Sequence, residues 1–214
     1  MSPAVEAFHR YRVECPIIAI LRGIAPDEVV RVGEALLSAG IRIIEIPLNS
    51  PDPFESIRRL SKSVGGQGLV GAGTVLDVDQ VARVEEAGGR LVVSPNTDAA
   101  VIKKTVVAGL VSVPGYFTPS EAFAAIAAGA HGIKLFPAEA ATPAVVKAQR
   151  AVLPNDVPLL VVGGVTADDF GRWLAAGADG FGLGGALYRA GDTVTQVHQR
   201  AARFVATLKP GARQ

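Results

Sequence analysis

Residues 107–137 read V-A-G-L-V-S-V-P-G-Y-F-T-P-S-E-A-F-A-A-I-A-A-G-A-H-G-I-K-L-F-P. Two short apolar runs, Leu110–Pro114 and Gly132–Pro137, enclose an Ala-rich segment of helical composition. An Ala-Gly pair stands before each run, at Gly109 and Gly129. The residue just past a helix often turns left-handed, and glycine takes that conformation without a Cβ penalty. The stretch therefore predicts a strand, a helix, a glycine stop and the next strand, all within a little over twenty residues.

The same unit runs through the chain. Ala-Gly pairs occur at Gly40, Gly88, Gly109, Gly129 and Gly177, separated by 48, 21, 20 and 48 residues, so each long gap holds two units. Further apolar, β-branched runs occupy Ile17–Leu21, Ile41–Leu48, Gly68–Val75, Arg90–Pro95, Pro158–Gly164 and Gly180–Leu187. Most are continuous rather than alternating, as parallel strands require when helices cover their outer face. Between them helical spacing returns: Val29, Val32, Leu36 and Leu37 follow Pro26, which suits a first turn. Eight strands, each followed by a helix, imply an α/β protein built as a parallel (β/α)8 TIM barrel. An open doubly wound sheet competes, but it usually has fewer strands, and no G-x-G-x-x-G opens a helix after the first run. Residues 2–12 read as a short extra helix before the barrel, and Lys209–Gln214 as a frayed tail. No linker, low-complexity tract or charge run divides residues 1–214, which read as one domain.

Composition narrows the function classes. The length of 214 residues suits a single core. Hydrophobic residues make up 49% and charged ones only 19%, with 24 glycines, so much of the chain must be buried or tightly packed. Lys+Arg number 21 and Asp+Glu 20, for a net charge of +1. No basic field exists to hold nucleic acid or an anionic membrane, so an anionic ligand must be gripped locally. Cys15 is the only cysteine, which excludes an intrachain disulfide framework. Met1 to Arg10 lacks the basic-then-apolar order of a signal peptide, and no run reaches the roughly 18 apolar residues of a spanning helix. The expectation is a cytoplasmic protein.

Parallel barrels carry their active sites at the C-terminal ends of the strands, so polar residues and glycine pairs there are the candidates. Six places qualify: Arg22, Glu45 in I-I-E-I-P, Thr74 in G-A-G-T-V, Lys134 in I-K-L-F-P, and the pairs Gly163–Gly164 and Gly184–Gly185. Lys134 stands among Ile133, Leu135 and Phe136. Burial lowers an ammonium's pKa, and a lysine that spends time as free amine attacks ketones to give a Schiff base. Its bland alternative is a lysine snorkelling to water. Glu45, between Ile44 and Ile46, is expected to have a raised pKa and to exchange protons near neutrality. The alternative there is an ion pair with Lys134 or Arg42 that only stabilises the fold. Both glycine pairs follow strands seven and eight, where barrels bind phosphate through backbone N–H groups. Thr166, followed by Asp168 and Asp169, has the composition of a helix start. His9, His131 and His198 are scattered and no metal-ligand spacing occurs; nor does G-x-S-x-G, so metal and serine-nucleophile chemistry find no support.

Taken in order, A-I-L-R-G-I, E-I-P-L-N-S-P, G-A-G-T-V-L, S-P-N, I-K-L-F-P-A, V-G-G-V-T and G-L-G-G-A-L-Y resemble the 2-keto-3-deoxy-6-phosphogluconate/galactonate aldolase family. The similarity runs from about Pro16 to Gly191. It implies a class I aldolase acting on a small phosphorylated sugar acid, with no metal or other cofactor, usually a homotrimer. It matches Lys134 to the Schiff-base lysine and Glu45 to the proton-shuttling glutamate. Thr74 and Pro95 match positions that touch the pyruvate part, and Gly163 and Gly164 the phosphate loop, which Gly184 and Gly185 extend. Two positions depart from the pattern. Where phosphogluconate enzymes typically carry arginine, in E-V-T-x-R, this chain has Asn49, as in the phosphogalactonate branch. Arg22 is then expected to supply the guanidinium for the substrate carboxylate, with Asn49 beside it at the substrate. Gly185 stands where many relatives have serine, which leaves phosphate binding there to backbone N–H groups. The expected reaction is cleavage of 2-keto-3-deoxy-6-phosphogalactonate to pyruvate and glyceraldehyde 3-phosphate, with the gluconate epimer, or both, as the alternative. A silent phosphosugar-binding barrel is the reading from another class, but it has no reason to bury both a lysine and a glutamate.

Overall fold

A helix and then eight strand–helix units follow one another along the chain. The computed structural model describes residues 2–208, so the tail expected over Lys209–Gln214 lies outside the described residues. The first half comprises α1 (Pro3–Glu14), β1 (Ile17–Ile20), α2 (Val29–Ala39), β2 (Ile43–Pro47), α3 (Pro53–Val64), β3 (Leu69–Gly73), α4 (Val78–Glu86), β4 (Leu91–Val93) and α5 (Ala99–Val107). The second half comprises β5 (Val111–Val113), β6 (Gly115–Tyr116), α6 (Pro119–Ala127), β7 (Ile133–Leu135), α7 (Pro143–Arg150), β8 (Leu159–Val162), α8 (Phe170–Ala175), β9 (Gly180–Leu183) and α9 (Val194–Leu208). Among the described residues no helix is long and apolar enough to cross a membrane.

The nine strands form one parallel sheet in the order β5-β4-β3-β2-β1-β9-β8-β7-β6. β5 and β6 are two halves of a single barrel strand, so the ring has eight walls. Pro114 separates them because it has no N–H to give the ladder. The break does not open the wall: the Lys134 N–H donates to the Pro114 carbonyl at 2.9 Å, and the His131 N–H to that of Ser112 at 2.9 Å. The expected run Leu110–Pro114 thus stops short, and the fifth strand continues to Tyr116. The last run is shorter than its apolar character suggests. After Leu183 the chain coils, with the Leu187 and Tyr188 N–H groups both donating to the Gly184 carbonyl. The helix-stop glycines behave as their positions predict, with φ of 106° at Gly40, 86° at Gly88, 71° at Gly109, 98° at Gly129 and 103° at Gly177.

Continuous apolar runs conceal a strict alternation. Successive strand residues point to opposite faces, and here one face meets the helices while the other fills the lumen. Ile44 and Ile46 of β2, and Ile133 and Leu135 of β7, join the outer layer. Ile18, Ile43, Leu69, Leu91, Val111 and Leu160 join an inner cluster. Helix α1 closes the floor of that cluster with Ala4, Val5, Phe8 and Tyr11. Phe8 is fully buried, and burying a ring of this size contributes about 1.5–3 kcal/mol. The Ser2 hydroxyl, donating to the Gly109 carbonyl at 2.7 Å, and the Tyr11 hydroxyl, donating to that of Gly66, fasten the plug. With its N-terminal end stoppered, the barrel is open for chemistry only at the C-terminal ends of the strands.

Candidate active site

Glu45, two residues after the inward Ile43, and Lys134, between the outward Ile133 and Leu135, occupy inward positions of β2 and β7. Counted around the eight walls, those are strands two and six, so they face each other across the lumen. Both are buried, with 2% of Glu45 and 7% of Lys134 exposed. Burial pushes the Glu45 carboxyl up to about 7, against the opposing pull of the Lys134 and Arg22 charges. Burial pulls the Lys134 amine below the usual lysine range; Glu45 opposes that shift and Arg22 adds to it. The two groups are close enough to feel each other's charge, yet none of the ion pairs among the described residues includes either. Arg42 instead reaches the Gln67 carbonyl. A merely stabilising ion pair at Glu45 is therefore not what the fold builds. Glu45 Oε2 has no hydrogen-bond partner among the described residues, and an unpaired buried carboxylate oxygen is costly enough to require a reason. Lys134 Nζ lies 4.8 Å from the centroid of the Phe136 ring, a geometry that favours its charged form modestly.

The neighbouring strand makes room for the glutamate. A Cβ added at Gly73 would run directly into the Glu45 carboxyl group, so glycine is needed here for space rather than for backbone freedom. Gly73→Ala is expected to displace that carboxyl and lower kcat roughly 100-fold, the usual penalty for misplacing a reacting group by about 1 Å. Circular dichroism checks that the barrel survives; an unchanged kcat would show that the carboxyl moves aside without consequence. The next residue, Thr74, has φ 57°. A β-branched residue in left-handed backbone is a true outlier, and such strain clusters at functional sites. Its neighbours hold it there: the Leu48 N–H donates to the Gly73 carbonyl at 2.8 Å, and the Ser94 hydroxyl to that of Val75 at 2.8 Å.

Arg22 and Asn49 come together above β1 and β2. Arg22 Nη1 donates to Asn49 Oδ1 at 2.6 Å, so Asn49 aims the guanidinium. Beneath them the Gly23 N–H donates to the buried Ser50 hydroxyl at 3.0 Å. Ser50 and Ser94 escaped the sequence reading because a hydroxyl next to proline looks like an ordinary turn residue. Pro95, half-buried at the end of β4, backs its carbonyl against Gly115, whose register partner is Lys134.

Also at the barrel mouth, a cleft of about 460 Å³ gathers all four glycines of the two pairs. Arg22 and Phe136 also line it, as does Ile20, the register partner of Glu45. Glu45, Lys134, Asn49, Thr74 and Pro95 are not among its lining residues. Gly163 and Gly164 have φ of 115° and 61°, conformations in which any side chain would be strained. Gly184 and Gly185 are not left-handed, and a Cβ at Gly185 would meet nothing within 4 Å. The second pair therefore supplies open space rather than a special turn. Thr166 caps the following 3-10 turn, its hydroxyl donating to Asp169 Oδ2 at 2.8 Å.

The histidines are less scattered than the sequence suggests. Burial lowers the His131 pKa, and the charge of nearby His9 lowers it further, because α1 folds back beneath the strand that His131 precedes. Both lie at the floor, away from the strand ends. Among the described residues no three His, Cys, Asp or Glu side chains cluster as a metal site.

Comparison with known proteins adds to this geometry. A family model described as KDPG and KHG aldolase matches residues 9–200. A probable 2-dehydro-3-deoxy-6-phosphogalactonate aldolase of Rhizobium meliloti is 50% identical over 92% of this chain and 91% of its own length. The 2-dehydro-3-deoxy-6-phosphogalactonate aldolase of Escherichia coli K12 is 44% identical over 92% and 96%. A solved structure described as native KDPGal superposes with a TM-score of 0.89 at 45% identity, covering 91% of this chain and 94% of the other.

Proposed function

This chain belongs to the KDPG and KHG aldolase family, and we propose that it cleaves 2-keto-3-deoxy-6-phosphogalactonate to pyruvate and glyceraldehyde 3-phosphate through a Schiff base on Lys134. It is an enzyme, an aldehyde-lyase. The reading of a silent phosphosugar-binding barrel gives way to the aldolase membership. One observation carries the Schiff-base chemistry: a buried lysine and a buried carboxyl face each other across a barrel closed at its floor.

In the proposed sequence the neutral Lys134 amine attacks the C2 ketone, giving a carbinolamine that loses water to a protonated imine. Glu45, directly or through a water, takes the proton from the C4 hydroxyl. The C3–C4 bonding pair then flows into the imine, leaving an enamine on Lys134 and releasing glyceraldehyde 3-phosphate. Protonation of the enamine at C3 and hydrolysis of the imine free pyruvate and restore the amine. Each role answers a physical need: a desolvated amine as nucleophile, a carboxyl that titrates near neutrality as shuttle, and fixed groups for the substrate's two anionic ends.

The galactonate epimer is proposed because the two relatives above that share almost the whole chain are described as phosphogalactonate aldolases. The test is relative turnover of the two C4 epimers, followed by pyruvate release. The proposal expects the galacto epimer to be the better substrate; an equal or higher kcat/KM for the gluco epimer overturns it. A homotrimer, the state implied by the family resemblance, located in the cytoplasm as the sequence leads one to expect, completes the proposal.

Arg22 is proposed to bind the substrate carboxylate, steered by Asn49. Charge-assisted hydrogen bonds are worth enough that Arg22→Ala is expected to raise the pyruvate concentration for half-maximal adduct formation about ten- to a hundredfold. Pyruvate binding left untouched would place the carboxylate elsewhere.

A further inference from the structure

The cleft that holds the glycine pairs has a cationic side chain that the resemblance does not assign. Besides Arg22 its lining includes Arg189, on the turn that follows Gly184 and Gly185. Two contacts fix the stem of this residue on that turn: its N–H donates to Asp192 Oδ2 at 2.7 Å, and its Nε to the Gly185 carbonyl at 3.0 Å. Among the described residues its terminal nitrogens make no hydrogen bond or ion pair. The adjacent carboxylate is taken, since Asp192 accepts from both terminal nitrogens of Arg200. Arg22, the other guanidinium of the cleft, is held by Asn49.

The same cleft contains an opposing charge. Glu139 lies over the Gly163–Gly164 turn, so closely that a Cβ at Gly163 would run into its carboxylate. An anion settling on that turn must push a like charge aside, and Gly185 offers it no hydroxyl. Backbone N–H groups alone are poorly matched to that task, whereas an Arg fork suits a phosphate.

We infer that Arg189 grips the distal phosphate of the substrate and sets the preference for phosphorylated over unphosphorylated sugar acids. The inference rests on the aldolase reading, and its test separates the two.

Wild type, Arg189→Ala and Arg189→Lys are compared on the phosphorylated substrate, on the same acid without its phosphate, and in borohydride trapping of pyruvate. With Arg189→Ala, KM for the phosphorylated acid is expected to rise about ten- to a hundredfold, with kcat within twofold. Turnover of the unphosphorylated acid and trapping of pyruvate should stay as in wild type, and Arg189→Lys should recover part of the loss. A parallel loss on both acids would mean that Arg189 only holds the glycine turn, and an unchanged KM would leave the phosphate to the backbone; either overturns the inference. Inorganic phosphate titrated by ³¹P NMR gives a readout independent of turnover: the alanine variant should bind it at least about tenfold more weakly, and equal binding overturns the inference. Failure of wild type to trap pyruvate counts against the aldolase reading, while the phosphate titration still decides the role of Arg189.

Discussion

Lys134→Ala is expected to lower kcat by at least about 10⁴-fold, the scale of losing a covalent nucleophile, while circular dichroism remains that of the wild type. Lys134→Arg should be equally inactive although it keeps the positive charge, because a guanidinium does not lose its proton at neutral pH and cannot form the imine. The contrast separates the nucleophile from the cation. A merely electrostatic role would let arginine rescue part of the rate. Stability should move the other way. Burial lowers the Lys134 pKa in the fold, so between that value and the ordinary one the unfolded chain binds more protons, and stability rises with pH. Lys134→Met removes an ammonium that is costly to bury and is expected to hold or raise Tm at pH 7. A marked fall in Tm would show that the lysine is structural.

Glu45→Gln is expected to cost roughly 10²–10⁴ in kcat, the range for removing a general acid or base. It should also change the pH profile in a definite direction. With the Glu45 carboxyl raised to about 7 and the Lys134 amine lowered, the acid limb of kcat/KM belongs to the pair. The negative charge of Glu45 holds the Lys134 pKa up, so glutamine should move the remaining limb to lower pH. For stability, a carboxyl whose folded pKa is above its unfolded value favours the fold most at low pH. That contribution is lost as pH rises through about 7. The wild type should therefore lose Tm between pH 5 and 8 more than the glutamine variant does, and equal pH dependence would contradict the burial argument. Slow borohydride trapping on Lys134 should persist in Glu45→Gln, since the nucleophile remains.

Much of this fold is written in local signals. Ala-Gly stops, helix starts and apolar runs all report on neighbours within a few residues, and they place the barrel and the extra helix, though not the ends of the fifth and last runs. Lys134 and Glu45 were legible for a related reason: in a chain with only 19% charged residues, a charge inside an apolar run stands out. What stayed hidden is long-range or geometric. The Pro114 break reads as a strand end because proline's missing N–H is visible, while the bonds that bridge it come from residues about twenty positions later. Inward and outward faces are both apolar except at Glu45, Lys134 and Ser112, so alternation could not be read along the runs. Asn49 lies 27 residues from Arg22, and no spacing rule links them. The left-handed backbone at Thr74 is imposed by bonds from flanking strands, not by its own preference. Arg189 and Glu139 look like ordinary surface charges until the barrel brings them to one cleft.

The proposed chemistry places a covalent imine on one particular amine. Incubating the protein with pyruvate, reducing with borohydride and mapping the modified peptide by mass spectrometry tests it directly. A single reduced pyruvate adduct on Lys134, formed with loss of activity, is the expected result. No adduct, or one on Lys103, Lys104 or Lys147 instead, would contradict it.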